Sequence, residues 1–200
     1  MPRMAPDKKN HQESQEDRRG FFKRGLARLF EPVAGYIERH VDLSAARLFL
    51  RPPGAIPERR FLEICFRCGN CVEACPVHAI KPLTVLDESL KKTPTINPNV
   101  AACVVCKTIE CTRVCPSGAL ELLRDPKDIR MGLARVNYEL CLRGKGEDCT
   151  VCVDKCPIGR EAIRVYDDGL IEVFENGCVG CGVCQVHCPT QPRAVTIQVF

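Results

Sequence analysis

Sixteen cysteines stand in four groups of four, and every group closes with the run Cys-x3-Cys-Pro. A chain with 16 cysteines in 200 residues is built either as a disulfide scaffold or as a metal protein. Spacing decides between them. Disulfide frameworks spread their cysteines so that bridges close loops. Here each cysteine is separated from its neighbour in the quartet by two, three, four or seven residues. Clusters that tight are suited to holding metal.

The first quartet, Cys65, Cys68, Cys71 and Cys75 before Pro76, and the fourth, Cys178, Cys181, Cys184 and Cys188 before Pro189, both read C-x2-C-x2-C-x3-C-P. In that pattern three thiolates wrap one [4Fe–4S] cubane from a tight loop, and the fourth, launched by the proline, reaches another cluster. Gly69, Gly180 and Gly182 suit close approach of the backbone. The second quartet, Cys103, Cys106, Cys111 and Cys115, widens its middle gap to the four residues 107–110. The third, Cys141, Cys149, Cys152 and Cys156, holds seven residues between its first two cysteines. Both keep the common ending and read as variants of one loop, the insertions altering exposure. Zinc sites pair two C-x2-C knuckles across a longer loop, which none of the quartets does. The expectation is four [4Fe–4S] clusters with all sixteen cysteines as ligands.

Because each fourth cysteine serves a partner cluster, the quartets must pair. Sequence order alone allows one with two and three with four. The series regular, irregular, irregular, regular favours a nested arrangement instead. That places Cys65, Cys68, Cys71 and Cys188 on one cluster and Cys103, Cys106, Cys111 and Cys156 on the next. Cys141, Cys149, Cys152 and Cys115 then hold the third, and Cys178, Cys181, Cys184 and Cys75 the fourth. His78 and His187 flank cysteine loops, but with sixteen thiols for sixteen positions neither is needed as a ligand.

Composition excludes several classes. The formal charge of +4 counts every thiol as neutral, whereas an oxidised cluster with its thiolates carries about −2. Four clusters take the loaded protein to about −4, so net charge gives no support for nucleic-acid binding. The uncharged stretch 93–106 is too short, and too rich in Pro and Asn, to span a bilayer as a helix. Neither G-x-x-x-x-G-K-[ST] nor G-x-G-x-x-G occurs, so a phosphate cradle is missing. These absences point to an electron carrier without a substrate site of its own, with a cluster-containing assembly or docking subunit as the alternative.

The N-terminal quarter reads differently. Residues 1–17 are polar and read as a disordered tail. Over 18–50, Phe22, Leu26, Val33 and Ile37 recur every three or four residues and predict an amphipathic helix, kinked at Pro32, that docks on a partner or a membrane surface. Arg18-Arg19 looks like a twin-arginine export signal, but Arg24, Arg28, Glu31, Glu38 and Arg39 interrupt the apolar stretch such a signal requires. The expected location is therefore cytoplasmic, with the periplasm as the alternative. Arg51-Pro52-Pro53-Gly54 reads as a rigid turn closing this region.

Taken together, Arg51-Pro52-Pro53-Gly54-Ala55, the irregular spacings of the second and third quartets, the run Cys115-Pro116-Ser117-Gly118-Ala119-Leu120 and Arg130-Met131-Gly132-Leu133-Ala134 resemble the NapG/MauM family of ferredoxin-type proteins. The resemblance implies four [4Fe–4S] clusters held by the quartets. It also implies a role passing electrons between a quinol- or donor-oxidising partner and a terminal oxidoreductase, and it supports nested ligand exchange. Exported members of that family carry a full signal peptide, from which this N-terminus departs. The expected architecture is α+β, with two fused bacterial-ferredoxin-like modules over 51–200 and cluster-binding repeats at about 56–85, 94–125, 132–166 and 169–200.

Overall fold

The computed structural model describes residues 49–200. The expected tail over 1–17, the amphipathic helix over 18–50 up to residue 48, and Arg18-Arg19 lie outside the described residues. Among the described residues no helix is long and apolar enough to cross a membrane.

The chain builds one core order twice: a cysteine loop, a one-turn helix, an antiparallel hairpin, a second cysteine loop and another one-turn helix. In the first half, helix α1 (Glu58–Ile64) leads into a cysteine loop, the one-turn helix α2 (Asn70–Glu73), strands β1 (Ile80–Pro82) and β2 (Pro94–Ile96), a second cysteine loop and the one-turn helix α3 (Glu110–Arg113). β1 and β2 pair antiparallel, with Ile80 opposite Ile96. The second half opens with strand β3 (Gly132–Val136), then helix α4 (Val151–Asp154), strands β4 (Ile163–Val165) and β5 (Ile171–Val173), helix α5 (Val183–Val186) and strand β6 (Val195–Val199). β4 pairs with β5, and the first and last strands of this half, β3 and β6, close it antiparallel with Gly132 opposite Val199 and Val136 opposite Val195. In the first half the closing pair shrinks to a single bridge between Ala55 and Leu120.

Positions equivalent in the repeats occupy equivalent places. Val136 ends β3 and Val173 ends β5, each five residues before a quartet. Ile80 opens β1 and Leu120 forms the closing bridge, each five residues after a Cys-Pro cysteine. Short hairpins and single-turn helices are marginal in isolation. Packing must therefore hold them, and the buried residues form two clusters. One gathers Phe61, Ile80, Ile96, Ile109 and Ile129; the other gathers Leu133, Ile163, Ile171 and Val195. Cysteines belong to both, so whatever the thiols bind completes the core.

The two halves meet through the second and fourth quartets. Cys103 donates its N–H to the Cys181 carbonyl at 3.0 Å, and Met131 donates to Val179 at 3.2 Å. Val179, Cys181 and Val183 of the fourth quartet sit in the core of the first half. Gly180 lies backbone to backbone on Gly132, where a Cβ would stand 2.4 Å from the Gly132 nitrogen. Close approach at this position thus packs the fourth quartet onto β3 within the second half, while Gly182, where a Cβ would stand 2.7 Å from the Pro98 Cβ, faces the first half.

The turn at Arg51-Pro52-Pro53-Gly54 lies largely in the core, with Arg51, Pro52 and Pro53 buried. Arg51 is 6% exposed, and its guanidinium takes Glu58 at 2.5 and 2.9 Å, the Thr93 hydroxyl at 2.9 Å and the Pro94 carbonyl at 2.9 Å. It also lies over the Phe61 ring at 4.8 Å. Leu50 is buried as well and bridges to Ile96, so the fold includes residues just before the boundary drawn at 51.

Candidate iron–sulfur sites

Each cysteine loop is bent by residues in the left-handed region, which turn the backbone around a space instead of along a strand. The residue before the second cysteine has positive φ in three quartets: Arg67 at 53°, Val105 at 54° and Gly180 at 70°. So does the residue capping the following helix, Gly69 at 82°, Ile109 at 44° and Gly182 at 85°. Ile109 occupies the place of a glycine because the four-residue gap in the second quartet presents it there. A β-branched residue in this conformation costs on the order of 1–3 kcal/mol, and its full burial in the core offsets that cost.

These loops enclose four cavities, each lined by four cysteines. Cys65, Cys68, Cys71 and Cys115 line one, and Cys75, Cys103, Cys106 and Cys111 line another. In the second half, Cys141, Cys149, Cys152 and Cys188 line a third, and Cys156, Cys178, Cys181 and Cys184 a fourth. Every quartet contributes three thiols to its own cavity and one to a neighbour's.

The neighbour is not the one the spacing favoured. In place of the nested exchange, the first quartet trades with the second and the third with the fourth. Cys115, expected beside the third quartet, stands with Cys65, Cys68 and Cys71; Cys75, expected beside the fourth, stands with Cys103, Cys106 and Cys111. Cys188 likewise stands with Cys141, Cys149 and Cys152 instead of the first quartet, and Cys156 with Cys178, Cys181 and Cys184 instead of the second. The cause is topological. The β1–β2 and β4–β5 hairpins fold consecutive loops onto each other, α2 on α3 and α4 on α5. Short antiparallel connections make sequence neighbours into spatial neighbours.

The electrostatics agree with this grouping. Burial pushes the Cys71 thiol up to about 11, with Cys65, Cys115 and Cys68 adding to it. Burial also takes Cys111 up to about 12, reinforced by Cys103, Cys106, Cys71 and Cys75, and Cys152 up to about 11, reinforced by Cys141 and Cys149. Cys115 and Cys188 go the other way. Burial is the largest single influence on each and raises it, yet hydrogen bonds from Leu120 and Ser117 to Cys115, and from Thr190 to Cys188, together bring both below the ordinary value. Thiols held this high carry their protons at neutral pH, so ligation must release them.

The donor set fits an iron–sulfur cluster better than a single ion. All sixteen cysteines are free of disulfides. Among the described residues, no three His, Cys, Asp or Glu side chains converge closely enough to hold one metal ion. The thiols instead ring a space walled by apolar side chains, such as Ile80, Ile96 and Ile129 in the second cavity and Ile163 and Val173 in the fourth. All-thiolate ligation by four converging cysteines is the requirement of a [4Fe–4S] centre. Neither His78 nor His187 lines these cavities, and His187 turns its Nδ1 to the Val183 carbonyl at 3.0 Å.

Fold and site together define a ferredoxin-type iron–sulfur protein of electron transfer. Comparison with known proteins agrees. Residues 64–119 match the model of a 4Fe-4S dicluster domain, and this segment spans the two quartets that exchange in the first half. The methylamine utilization ferredoxin-type protein MauM of Methylobacillus flagellatus is 38% identical over 194 residues, covering 90% of this chain and 83% of that protein. MauM of Paracoccus denitrificans is 40% identical over 159 residues, covering 74% and 70%. The ferredoxin-type protein NapG of Escherichia coli is 38% identical over 165 residues, covering 76% and 71%. No solved structure matches. The chain belongs to the family of MauM and NapG ferredoxin-type proteins.

Two groups of residues near the sites carry little or no signal in the sequence. Nothing in the pattern around Arg51, which reads as part of a turn, marks it as buried. Ser117 and Thr190, whose hydroxyls lie beside the Cys115 and Cys188 sulfurs, stand out only as a Cys-Pro-[Ser/Thr] ending in two quartets out of four.

Proposed function

We propose that the protein relays single electrons through four [4Fe–4S] clusters, one per cavity, between a quinol- or ferredoxin-type donor and a terminal oxidoreductase, without a substrate site of its own. The carrying observation is the row of four thiol-lined cavities. Ligand exchange joins the first to the second and the third to the fourth, and the Cys103–Cys181 hydrogen bond joins the second to the fourth. The electron route is therefore first, second, fourth, third, and the ends are the cavities of the first and third quartets. The clusters supply reversible one-electron chemistry when bound. The chain's residues hold them in register, exclude water with Ile and Val walls, and leave the terminal Cys68 exposed. Exposed Phe66 beside it, 69% accessible, suits contact with a redox partner.

Anaerobic purification, iron and sulfide quantification, and EPR during a redox titration test the proposal. About sixteen irons and sixteen sulfides per chain, with all clusters reversibly reducible, are expected. Four to eight irons, or stoichiometric zinc, would overturn it; a full iron complement that cannot be reduced would leave a docking subunit in its place. The same proposal puts the protein in the cytoplasm, on the charges that interrupt the stretch behind Arg18-Arg19. Recovery of the full-length chain, with clusters, in a periplasmic fraction would refute that location.

A further inference from the structure

The four Cys-Pro endings differ in one chemically meaningful way. Cys115-Pro116 is followed by Ser117 and Cys188-Pro189 by Thr190, whereas Cys75-Pro76 is followed by Val77 and Cys156-Pro157 by Ile158. Ligand exchange sorts these endings by place in the row. Cys115 lines the first-quartet cavity and Cys188 the third-quartet cavity, the two ends, while Cys75 and Cys156 line the two inner ones.

Resting on the four-cluster reading above, we infer that the hydroxyls of Ser117 and Thr190 donate hydrogen bonds to the sulfurs of Cys115 and Cys188, and so hold the two end clusters at higher reduction potential than the inner pair. The two hydroxyls are placed alike. Ser117 Oγ lies 3.7 Å from Cys115 Sγ and Thr190 Oγ1 lies 3.2 Å from Cys188 Sγ. Each oxygen also accepts a backbone N–H, from Ala119 at 3.3 Å and from Ala194 at 2.8 Å. A hydroxyl has one proton to give. With a lone pair engaged by the amide and a ligand sulfur that carries no proton, that proton points at the sulfur.

The hydroxyl is what separates the two classes of ending. A backbone donor reaches sulfur at both an inner and an outer ligand, Ala79 to Cys75 and Leu120 to Cys115, each at 3.3 Å. Val77 and Ile158 add only methyl groups. When a cluster takes up one electron its sulfurs become more negative, so a hydrogen bond to sulfur favours the reduced form and raises the potential. No proton leaves the hydroxyl in this step; the electron alone is gained. Electrons then settle at the ends of the row, where partners dock, and cross the inner pair without being stored there.

The test is EPR-monitored redox titration of the holoprotein with its iron content measured in parallel. Ser117→Ala and Thr190→Val are each expected to lower a different single midpoint, by about tenfold in the reduction equilibrium or about 59 mV for one electron, leaving the other three in place. Thr190→Ser restores the potential. The reverse substitution, Val77→Ser, raises one inner midpoint, and it decides the matter if either deletion costs iron. Variants that keep the wild-type iron content with unmoved midpoints, or Ser117→Ala and Thr190→Val shifting the same midpoint, would overturn the inference. A wild-type chain with far fewer than about sixteen irons would instead overturn the four-cluster reading on which it rests.

Discussion

The double variant Cys65→Ala/Cys115→Ala will lose one cluster, and Cys65→Ala/Cys188→Ala will lose two. In the first variant both missing thiols belong to the same cavity, so three cavities keep all four ligands. Anaerobically purified protein should then hold about twelve irons per chain. In the second variant the losses fall on the cavities of the first and third quartets, and the count should drop to about eight. Nested exchange predicts the opposite order, because it would put Cys65 and Cys188 on one cluster and Cys65 and Cys115 on two. Iron quantification alone separates the arrangements, and a higher iron content in Cys65→Ala/Cys188→Ala would reject the exchange between consecutive quartets.

The wrong expectation about pairing shows what spacing encodes. The run C-x2-C-x2-C describes how one loop bends around its own cluster, and the structure explains each version of it locally. Gly69 and Gly182 cap α2 and α5 in the left-handed region, and Ile109 does the same for α3 across the wider gap. Similarity of loops therefore carries no information about which loop a fourth cysteine reaches. That is set by the hairpins between quartets, whose strands are only three residues long and leave little periodicity to read. A better guide was present in the chain order, since short connections place consecutive elements side by side. The apolar residues five positions from the cysteines were informative for the same reason. Val136, Val173, Ile80 and Leu120 mark strand ends and bridges that every repeat must supply.

The joint between halves was only half legible. Gly180 and Gly182 suit close approach, and both meet it, Gly180 on Gly132 of β3 and Gly182 on Pro98 of the first half. Gly69, which reads the same way in the sequence, has nothing within 4 Å of a notional Cβ and is required by its φ of 82° alone. A glycine in a sequence reports that a side chain is unwelcome without saying whether space or backbone angle forbids it. Here the difference matters, since crowded Gly182 lets the fourth quartet approach Pro98 and Ala102 beside the second, whereas crowded Gly180 seats it on β3.

Replacing Arg51 by alanine will cost the holoprotein about 3–5 kcal/mol, the expected penalty for removing one member of a buried ion pair. The side chains of Arg51 and Glu58 are 7% and 14% exposed, so the carboxylate left behind has little water to turn to. The Thr93 hydroxyl and Pro94 carbonyl lose their charged donor at the same time, and Phe61, fully buried, loses the guanidinium stacked on its ring. These contacts tie the segment before α1 to the β1–β2 hairpin, against which the first and second quartets are folded. Set beside a total stability of about 5–15 kcal/mol for an ordinary domain, the loss threatens cluster retention throughout the first half. Anaerobic urea unfolding followed by cluster absorbance should show the midpoint of Arg51→Ala far below that of the parent. Arg51→Met/Glu58→Leu, which removes both charges while keeping apolar bulk, should recover much of the difference. An Arg51→Ala midpoint within the equivalent of about 1 kcal/mol of the parent would mean that the pair behaves like a surface salt bridge. The Arg51-Pro52-Pro53-Gly54 turn would then owe its place to its prolines alone.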